Sequence, residues 1–312
     1  MIKQWILPGL VVCGLCISPL SWAEAPVRIA VAANFLTTMK TLAKEFNAQT
    51  GLKVSVSNGA SGLLYAQIIK GAPYDVFFSA DTKRPKRLEQ AGLIEPGSRF
   101  TYVTGKLVAW SPDTDTNKLS AELATLDVSS PQLRFVAIAN PKTAPYGAAA
   151  VQVLTHYGLY EPLSATHKIA IGENIGKAYQ YVATGNAQIG LVAKSYVSNP
   201  KRPVSGQVFD IPPELYTPIS QQAVVLKGRN RPAVQAFLDF FHSPSARARI
   251  QAYGYGLVPL SLDANNAAKV GLGEDLENQA LVAQALVTQG AAVPNRVPDV
   301  LKKRGALVDD FS

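Results

Sequence analysis

Residues 27–51 read VRIAVAANFLTTMKTLAKEFNAQTG, and this stretch decides the fold class. The short apolar run 27–32 is typical of a buried strand. The residues that follow repeat apolar side chains at three- and four-residue spacing, at Leu36, Met39, Ala43 and Phe46, and Gly51 is well placed to end a helix. A strand that leads directly into a helix is the unit of a mainly parallel sheet, so the stretch predicts an α/β fold.

The same unit recurs along the chain and predicts two lobes. Strands are predicted at 53–56, 75–79, 100–110, 135–139, 168–171, 188–192 and 222–226, and helices at 62–70, 84–90, 147–156, 176–184 and 233–253. A proline-rich connection covers 200–213. Two such series joined by two crossing segments indicate a hinged protein, with 24–104 plus 228–262 in one lobe and 105–227 in the other. Ligands of such sheets bind at the carboxyl ends of the strands.

The two ends of the chain differ from this core. Residues 1–23 carry one basic residue, Lys3, before an apolar run and a Ser21-Trp22-Ala23 end, which is the layout of a cleavable signal peptide. A membrane anchor is the competing interpretation. Residues 263–312 are expected to form a loose or peripherally packed extension, to which we assign no function.

Composition excludes several classes of function. Cys13 and Cys16 are the only cysteines and lie in the leader, so the mature chain has neither a thiol nucleophile nor a cysteine-ligated metal. The 30 basic and 22 acidic side chains give a charge of +8, or +7 once Lys3 is removed, which favours anionic partners. These basic residues are scattered, without interleaved aromatic residues, so the pattern does not favour nucleic acid.

The remaining reactive side chains do not form a catalytic or metal motif. Gly59-Ala60-Ser61-Gly62 lacks the second glycine of a nucleophile elbow in the required place. His156, His167 and His242 have no ligand-like neighbours in sequence, so solvated or capping roles are expected for them. Asp75 and Asp81 stand at opposite ends of a predicted strand, where cap or hinge roles are expected.

Four strand-to-helix junctions share one trait. Each places a small residue or an amide residue where the helix starts, and none places a lysine or an arginine there. They are 33–34, 60–62, 144–147 and 174–176. Helix N-termini carry unpaired N–H groups and a partial positive charge, so several that converge on a cleft can bind an anion without a formal cation. Each junction taken alone is explained equally well by ordinary helix capping. Their recurrence in both predicted lobes favours an anion site.

Five motifs carry a resemblance to a known family. They are VAANFL at 31–36, SNGASG at 57–62, GAPYDVFFSAD at 71–81, GSRFTY at 97–102 and NPKTAPYG at 140–147. In this order they resemble the periplasmic molybdate-binding proteins of ABC importers, over about residues 27–260. The chain is most similar to the branch with asparagine in the first anion loop. The resemblance implies the two-lobed periplasmic binding protein fold of type II, an α/β architecture.

The resemblance also implies a ligand set. Asn34 would donate its backbone N–H, with its side-chain amide left open as a further donor, and Ser61 would donate its hydroxyl and N–H. Tyr146 and Ile175 would each donate a backbone N–H from the second lobe. Two positions depart from relatives that place hydroxyl groups there, namely Ala33 and Ala193. An acid beside an anion loop would repel the ligand, so Glu173 is expected to point away.

The expectation is therefore an exported, monomeric periplasmic solute-binding protein and not an enzyme. It would capture molybdate or tungstate, without a cofactor or a protein-bound metal ion, and deliver the anion to the membrane permease of an ABC importer. Two alternatives stay open. One is a binding protein for another tetrahedral oxyanion such as sulfate or chromate, and the other is a phosphate-ester enzyme that uses the same loops.

Overall fold

The computed structural model describes residues 24–113, 121–200 and 203–258. The predicted signal peptide at 1–23 and the extension at 263–312 lie outside the described residues. In the part that is described, no helix combines the length and the apolar character needed to cross a membrane.

The described chain alternates strands and helices as the pattern predicts. Its strands are β1 (Val27–Ala32), β2 (Val54–Gly59), β3 (Val76–Phe78), β4 (Phe100–Gly105), β5 (Leu107–Ser111), β6 (Val136–Ala139), β7 (Ile169–Gly172), β8 (Ile189–Ala193), β9 (Gln207–Asp210), β10 (Ile219–Val225) and β11 (Gly256–Leu257). Its α-helices are α1 (Leu36–Thr50), α2 (Ser61–Ile69), α3 (Lys83–Gln90), α4 (Pro145–His156), α5 (Tyr160–Ala165), α6 (Ile175–Ala183), α7 (Lys194–Val197), α8 (Pro232–His242) and α9 (Pro244–Ala252).

The strands form two separate sheets, one for each lobe. The first has six strands in the order β11-β4-β10-β3-β1-β2, and the second has five in the order β7-β6-β8-β5-β9. The neighbours of β1 and of β6 run parallel to them, while β10 runs antiparallel to both β3 and β4. The two-lobed α/β architecture is confirmed.

The opening stretch of sequence builds the centre of the first lobe. Ile29 and Val31 of β1 pack into one apolar cluster and Ala30 into another, because successive side chains point to opposite faces of a sheet. Helix α1 buries Met39 and Phe46 against the first of these clusters and ends at Gly51, whose φ of 75° favours glycine.

The chain crosses between the lobes twice. The first crossing is the single residue Lys106 between β4 and β5, and the second is 211–218 between β9 and β10. One continuous strand at 100–110 is therefore a wrong prediction, because its two halves pair in different sheets. The predicted second lobe at 105–227 also included β10, which pairs with β3 and β4 of the first sheet.

Two further sequence predictions need correction. The helix predicted at 233–253 is broken at Ser243-Pro244, because proline inside a helix removes a donor and clashes with the preceding turn. Ser243 instead caps α9, as its hydroxyl accepts the Ala246 N–H at 3.3 Å. The connection at 200–213 contains β9, which forms the edge of the second sheet beside β5.

Candidate functional site

The four predicted ligand-binding residues lie in loops at the carboxyl ends of four strands. Asn34 follows β1, Ser61 follows β2, Tyr146 follows β6 and Ile175 follows β7. All four are buried, with exposed fractions of 2%, 1%, 1% and 3%. The first two belong to the first lobe and the others to the second, so the site lies between the lobes.

Backbone N–H groups at three of these positions are free to bind a ligand. Ser61 and Ile175 are the first residues of α2 and α6, and Tyr146 is the second residue of α4. Their neighbours are already paired, since Gly62 N donates to Thr143 O, Gly147 N to Ala144 O and Gly176 N to Asn174 Oδ1, at 2.9–3.0 Å. Among the described residues, the N–H groups of Ser61, Tyr146 and Ile175 have no acceptor, because N–H groups in the first turn of a helix have no partner within the helix.

The Ser61 hydroxyl is oriented by a backbone contact. Its Oγ accepts the N–H of Ala80 at 2.9 Å. A hydroxyl has one proton and two acceptor lone pairs, so this bond leaves the proton of Ser61 free to donate. Ser61 therefore offers two donors, its N–H and its O–H, from one buried position.

The side-chain amide of Asn34, which the sequence left open as a ligand donor, already has protein partners. Its Nδ2 donates to Gln221 Oε1 at 2.9 Å and to Tyr255 OH at 3.3 Å. The backbone carbonyl of Asn34 accepts from Tyr255 OH at 2.7 Å and from Ser195 Oγ at 3.0 Å. The amide nitrogen of Asn34 thus fixes the loop.

Contacts between the lobes bring the four loops together. Gly62 N donates to Thr143 O at 3.0 Å, which joins the second loop to the third. The hydroxyl of Tyr196 donates to Ala33 O at 2.7 Å, and Tyr196 also lies close to Gly176 in the fourth loop. We call the set of Asn34, Ser61, Tyr146 and Ile175 the donor cage.

Gln221 connects two of the cage residues, Asn34 and Tyr146, through its side-chain amide. Its Oε1 accepts from both Asn34 and Tyr102, at 2.9 Å each, and its Nε2 donates to Tyr146 OH at 3.3 Å. Gln221 is fully buried on β10, the first strand after the returning crossing. One amide therefore links the loop after β1 in the first lobe to the start of α4 in the second.

The cage is electrically neutral. Burial raises the pKa values of Tyr102, Tyr146, Tyr196 and Tyr255, so these phenols stay protonated at neutral pH. Arg84 approaches Gly62, but its guanidinium pairs with Asp81. The surroundings thus supply hydrogen-bond donors without a formal charge.

The other residues considered from the sequence lie away from the cage or have structural partners. Glu173 is exposed, in agreement with its expected orientation. Asp75 is fully buried and pairs with Arg28 and Arg231, and Asp81 accepts the Arg84 N–H at 3.0 Å near the start of α3. Within 24–113, 121–200 and 203–258, no three His, Cys, Asp or Glu side chains form a group that could hold a metal ion.

Comparison with known proteins identifies the family of this chain. The family described as bacterial extracellular solute-binding protein matches residues 27–256. The chain belongs to this family.

Two relatives of this solute-binding protein are molybdate-binding proteins by name. ModA of Azotobacter vinelandii is 47% identical over 75% of this chain and 90% of its own length, and ModA of Rhodobacter capsulatus is 44% identical over 75% and 89%. The solved structure of the periplasmic molybdate-binding protein of A. vinelandii superimposes with a TM-score of 0.69 at 40% identity. That comparison covers 75% of this chain and all of the other.

Four residues around the cage of this solute-binding protein were missed from the sequence, namely Gln221, Tyr255, Ser195 and Tyr196. Gln221 and Gln222 interrupt the apolar strand β10, and a polar pair in a buried strand is a usable signal, because buried polar groups need partners. Ser195, Tyr196 and Tyr255 have no such local signal. Their partners, Asn34 and Ala33, are more than 160 residues away in sequence.

Proposed function

We propose that this chain binds molybdate in the donor cage and delivers it to the membrane permease of an ABC importer. The observation that carries the proposal is the group of buried, unpaired N–H donors of Ser61, Tyr146 and Ile175, with the free hydroxyl proton of Ser61. The backbone N–H of the buried Asn34 is proposed as a further donor. The two named relatives, at 44–47% identity, support molybdate as the ligand.

The chemistry of the donors fits a fully deprotonated dianion. Each hydrogen bond to a charged acceptor is stronger than a neutral one, so several buried donors can replace the hydration shell of the anion. Tungstate has the same shape and charge and is proposed as a second ligand. Sulfate has the same charge but is smaller, so the cage must exclude it by size.

Asn34 Oδ1 is the reason to include phosphate among the competitors. This atom is a buried acceptor without a partner among the described residues. Monohydrogen phosphate carries a proton that needs such an acceptor, whereas molybdate carries none. Discrimination between the two anions therefore tests whether Asn34 Oδ1 faces the ligand.

The site of action follows from the predicted leader and from the relative described as periplasmic. We propose that residues 1–23 direct export and are removed, and that the mature chain acts in the periplasm as a monomer. No cofactor is needed, since the chain binds the ligand and does not transform it.

Parallel calorimetric titrations of the mature protein with molybdate, tungstate, sulfate and phosphate test the proposal. We expect tight binding of molybdate and tungstate and much weaker binding of sulfate and phosphate. Binding of sulfate without molybdate would contradict the assignment. Steady turnover of phosphate esters by the same preparation would contradict a binding role without catalysis.

A further inference from the structure

A cavity of about 460 Å³ lies between the lobes beside the donor cage. The first lobe contributes residues 80–84 to its wall, and the second lobe contributes residues of α4 and of the loop before it. Residues 217–220, at the end of the returning crossing and the start of β10, complete it. We call this space the side cavity. Its lining comes from both lobes and from the segment that joins them.

The side cavity and the donor cage share a wall. Ala80 lines the cavity, and its N–H is the group that orients the Ser61 hydroxyl. Ala144 and Pro145 line it as well, directly before Tyr146 in sequence. The cage residues are almost fully buried, so an anion that reaches them from solvent must pass the seam between the lobes, and the side cavity is a space along that seam.

The lining of the side cavity is basic, in contrast to the neutral cage. Lys83 and Arg84 line it from the first lobe and Lys142 lines it from the second. Asp81 also lines the cavity, but it is paired with Arg84, so these two charges offset each other. Lys83 and Lys142 are exposed and have no acidic partner among the described residues, so the charge of each remains uncompensated at the wall of the cavity.

We propose that the side cavity is an encounter site for the oxyanion, in which Lys83 and Lys142 attract the hydrated dianion before it enters the donor cage. This inference rests on the proposed function and adds a second, kinetic site to it. Exposed cations act through solvent over about 8 Å at physiological salt, far enough to guide an anion without touching it in the cage. Clefts lined by one sign of charge raise association rates of opposite ions.

The two sites should affect different rate constants of molybdate binding. Charges at the rim of a site change mainly the association rate and its salt dependence, while the buried contacts set the dissociation rate. Removing the two lysines should therefore slow association and leave dissociation nearly unchanged. The dissociation constant should rise by the same factor by which the association rate falls.

The experiment compares two double variants with equal loss of charge. The first is Lys83→Gln with Lys142→Gln, and the control is Lys44→Gln with Lys53→Gln, two exposed lysines that do not line the cavity. Stopped-flow fluorescence measures molybdate association and dissociation at low and high salt. We expect the cavity variant to associate roughly 3- to 10-fold more slowly at low salt, the control to change much less, and the difference to vanish at high salt.

A charge reversal, Lys142→Glu, provides a graded second test and should slow association further than Lys142→Gln. Equal slowing in both double variants would mean that only the net charge of the protein matters and would overturn the inference. Unchanged association, or faster dissociation with unchanged association, would overturn it too. The calorimetric titration of the wild-type protein distinguishes failure of the encounter site from failure of the proposed function. If the titration shows that the wild-type protein binds molybdate, a negative kinetic result refutes only the encounter site.

Discussion

Ser61 is the residue at which the contribution of one side chain can be measured most directly. Ser61→Ala removes a hydroxyl donor from a dry site and should weaken molybdate binding by about 1.5–3 kcal/mol, the range for a hydrogen bond to a charged partner. Calorimetry measures the change. The substitution also leaves the Ala80 N–H without its acceptor, so a lower melting temperature is expected in addition.

Ser55→Ala is the matched control for this prediction, because Ser55 is an exposed serine on β2 close in sequence to Ser61. It should change neither the affinity nor the melting temperature. An unchanged molybdate affinity in Ser61→Ala would place the ligand elsewhere in the protein.

For a single residue, Asn34 shows which features of the site can be predicted from sequence and which cannot. Its position at the start of a helical turn could be predicted, because the signals for such a start are local. The partners of its side chain could not, since Gln221 and Tyr255 are 187 and 221 residues away along the chain. The donor atom that a residue offers to a ligand depends on which of its atoms other residues already use.

Among the elements, those with local signals were predicted and those that depend on distant pairing were not. Helix α1 begins and ends where apolar spacing and Gly51 place it. The division of 100–110 into β4 and β5 is set by long-range pairing, because β4 pairs with β10 whereas β5 pairs with β8. Pro244 is a local signal too, because proline cannot continue a helix, and it ends the helix that was predicted at 233–253.

The start of α2 gives a prediction at the scale of the element. A Cβ on Gly62 would lie 3.1 Å from Thr143 O and 2.9 Å from Arg84 Nη2, so one methyl group would press on the opposite lobe. Gly62→Ala should reduce molybdate affinity several-fold by opposing contact between the lobes, while the folds of the separate lobes persist. Titration calorimetry and circular dichroism measure the two effects.

Gly59→Ala is the control, because a Cβ there would meet only the Leu64 side chain at 3.6 Å, an ordinary contact. It should bind molybdate with nearly wild-type affinity. Equal affinities for the two variants would show that the Gly62–Thr143 contact does not contribute to ligand binding.

For the molecule as a whole, the buried tyrosines predict how stability depends on pH. Burial raises the pKa values of Tyr102, Tyr146, Tyr196 and Tyr255 in the folded chain, whereas a tyrosine in the unfolded chain ionises near pH 10. Above that pH the folded state binds more protons than the unfolded state, so the free energy of unfolding decreases as pH rises. Below about pH 9 these groups contribute no pH dependence.

Thermal unfolding between pH 6 and pH 11 measures this effect. Tyr196→Phe should be less stable at neutral pH, because it loses the hydrogen bond to Ala33 O, but its decline above pH 10 should be shallower. A wild-type melting temperature that stays constant to pH 11 would contradict the protonated state of these phenols.

The neutrality of the donor cage has a consequence for the electrophoretic behaviour of the protein. Because the cage offers neither a cation nor a proton to neutralise a bound dianion, loading should lower the net charge of the protein by two full units. The loaded form should therefore have a lower isoelectric point and migrate more slowly toward the cathode in native gels. Any surface that contacts both forms meets two electrically different molecules, and the difference is created by hydrogen bonds alone.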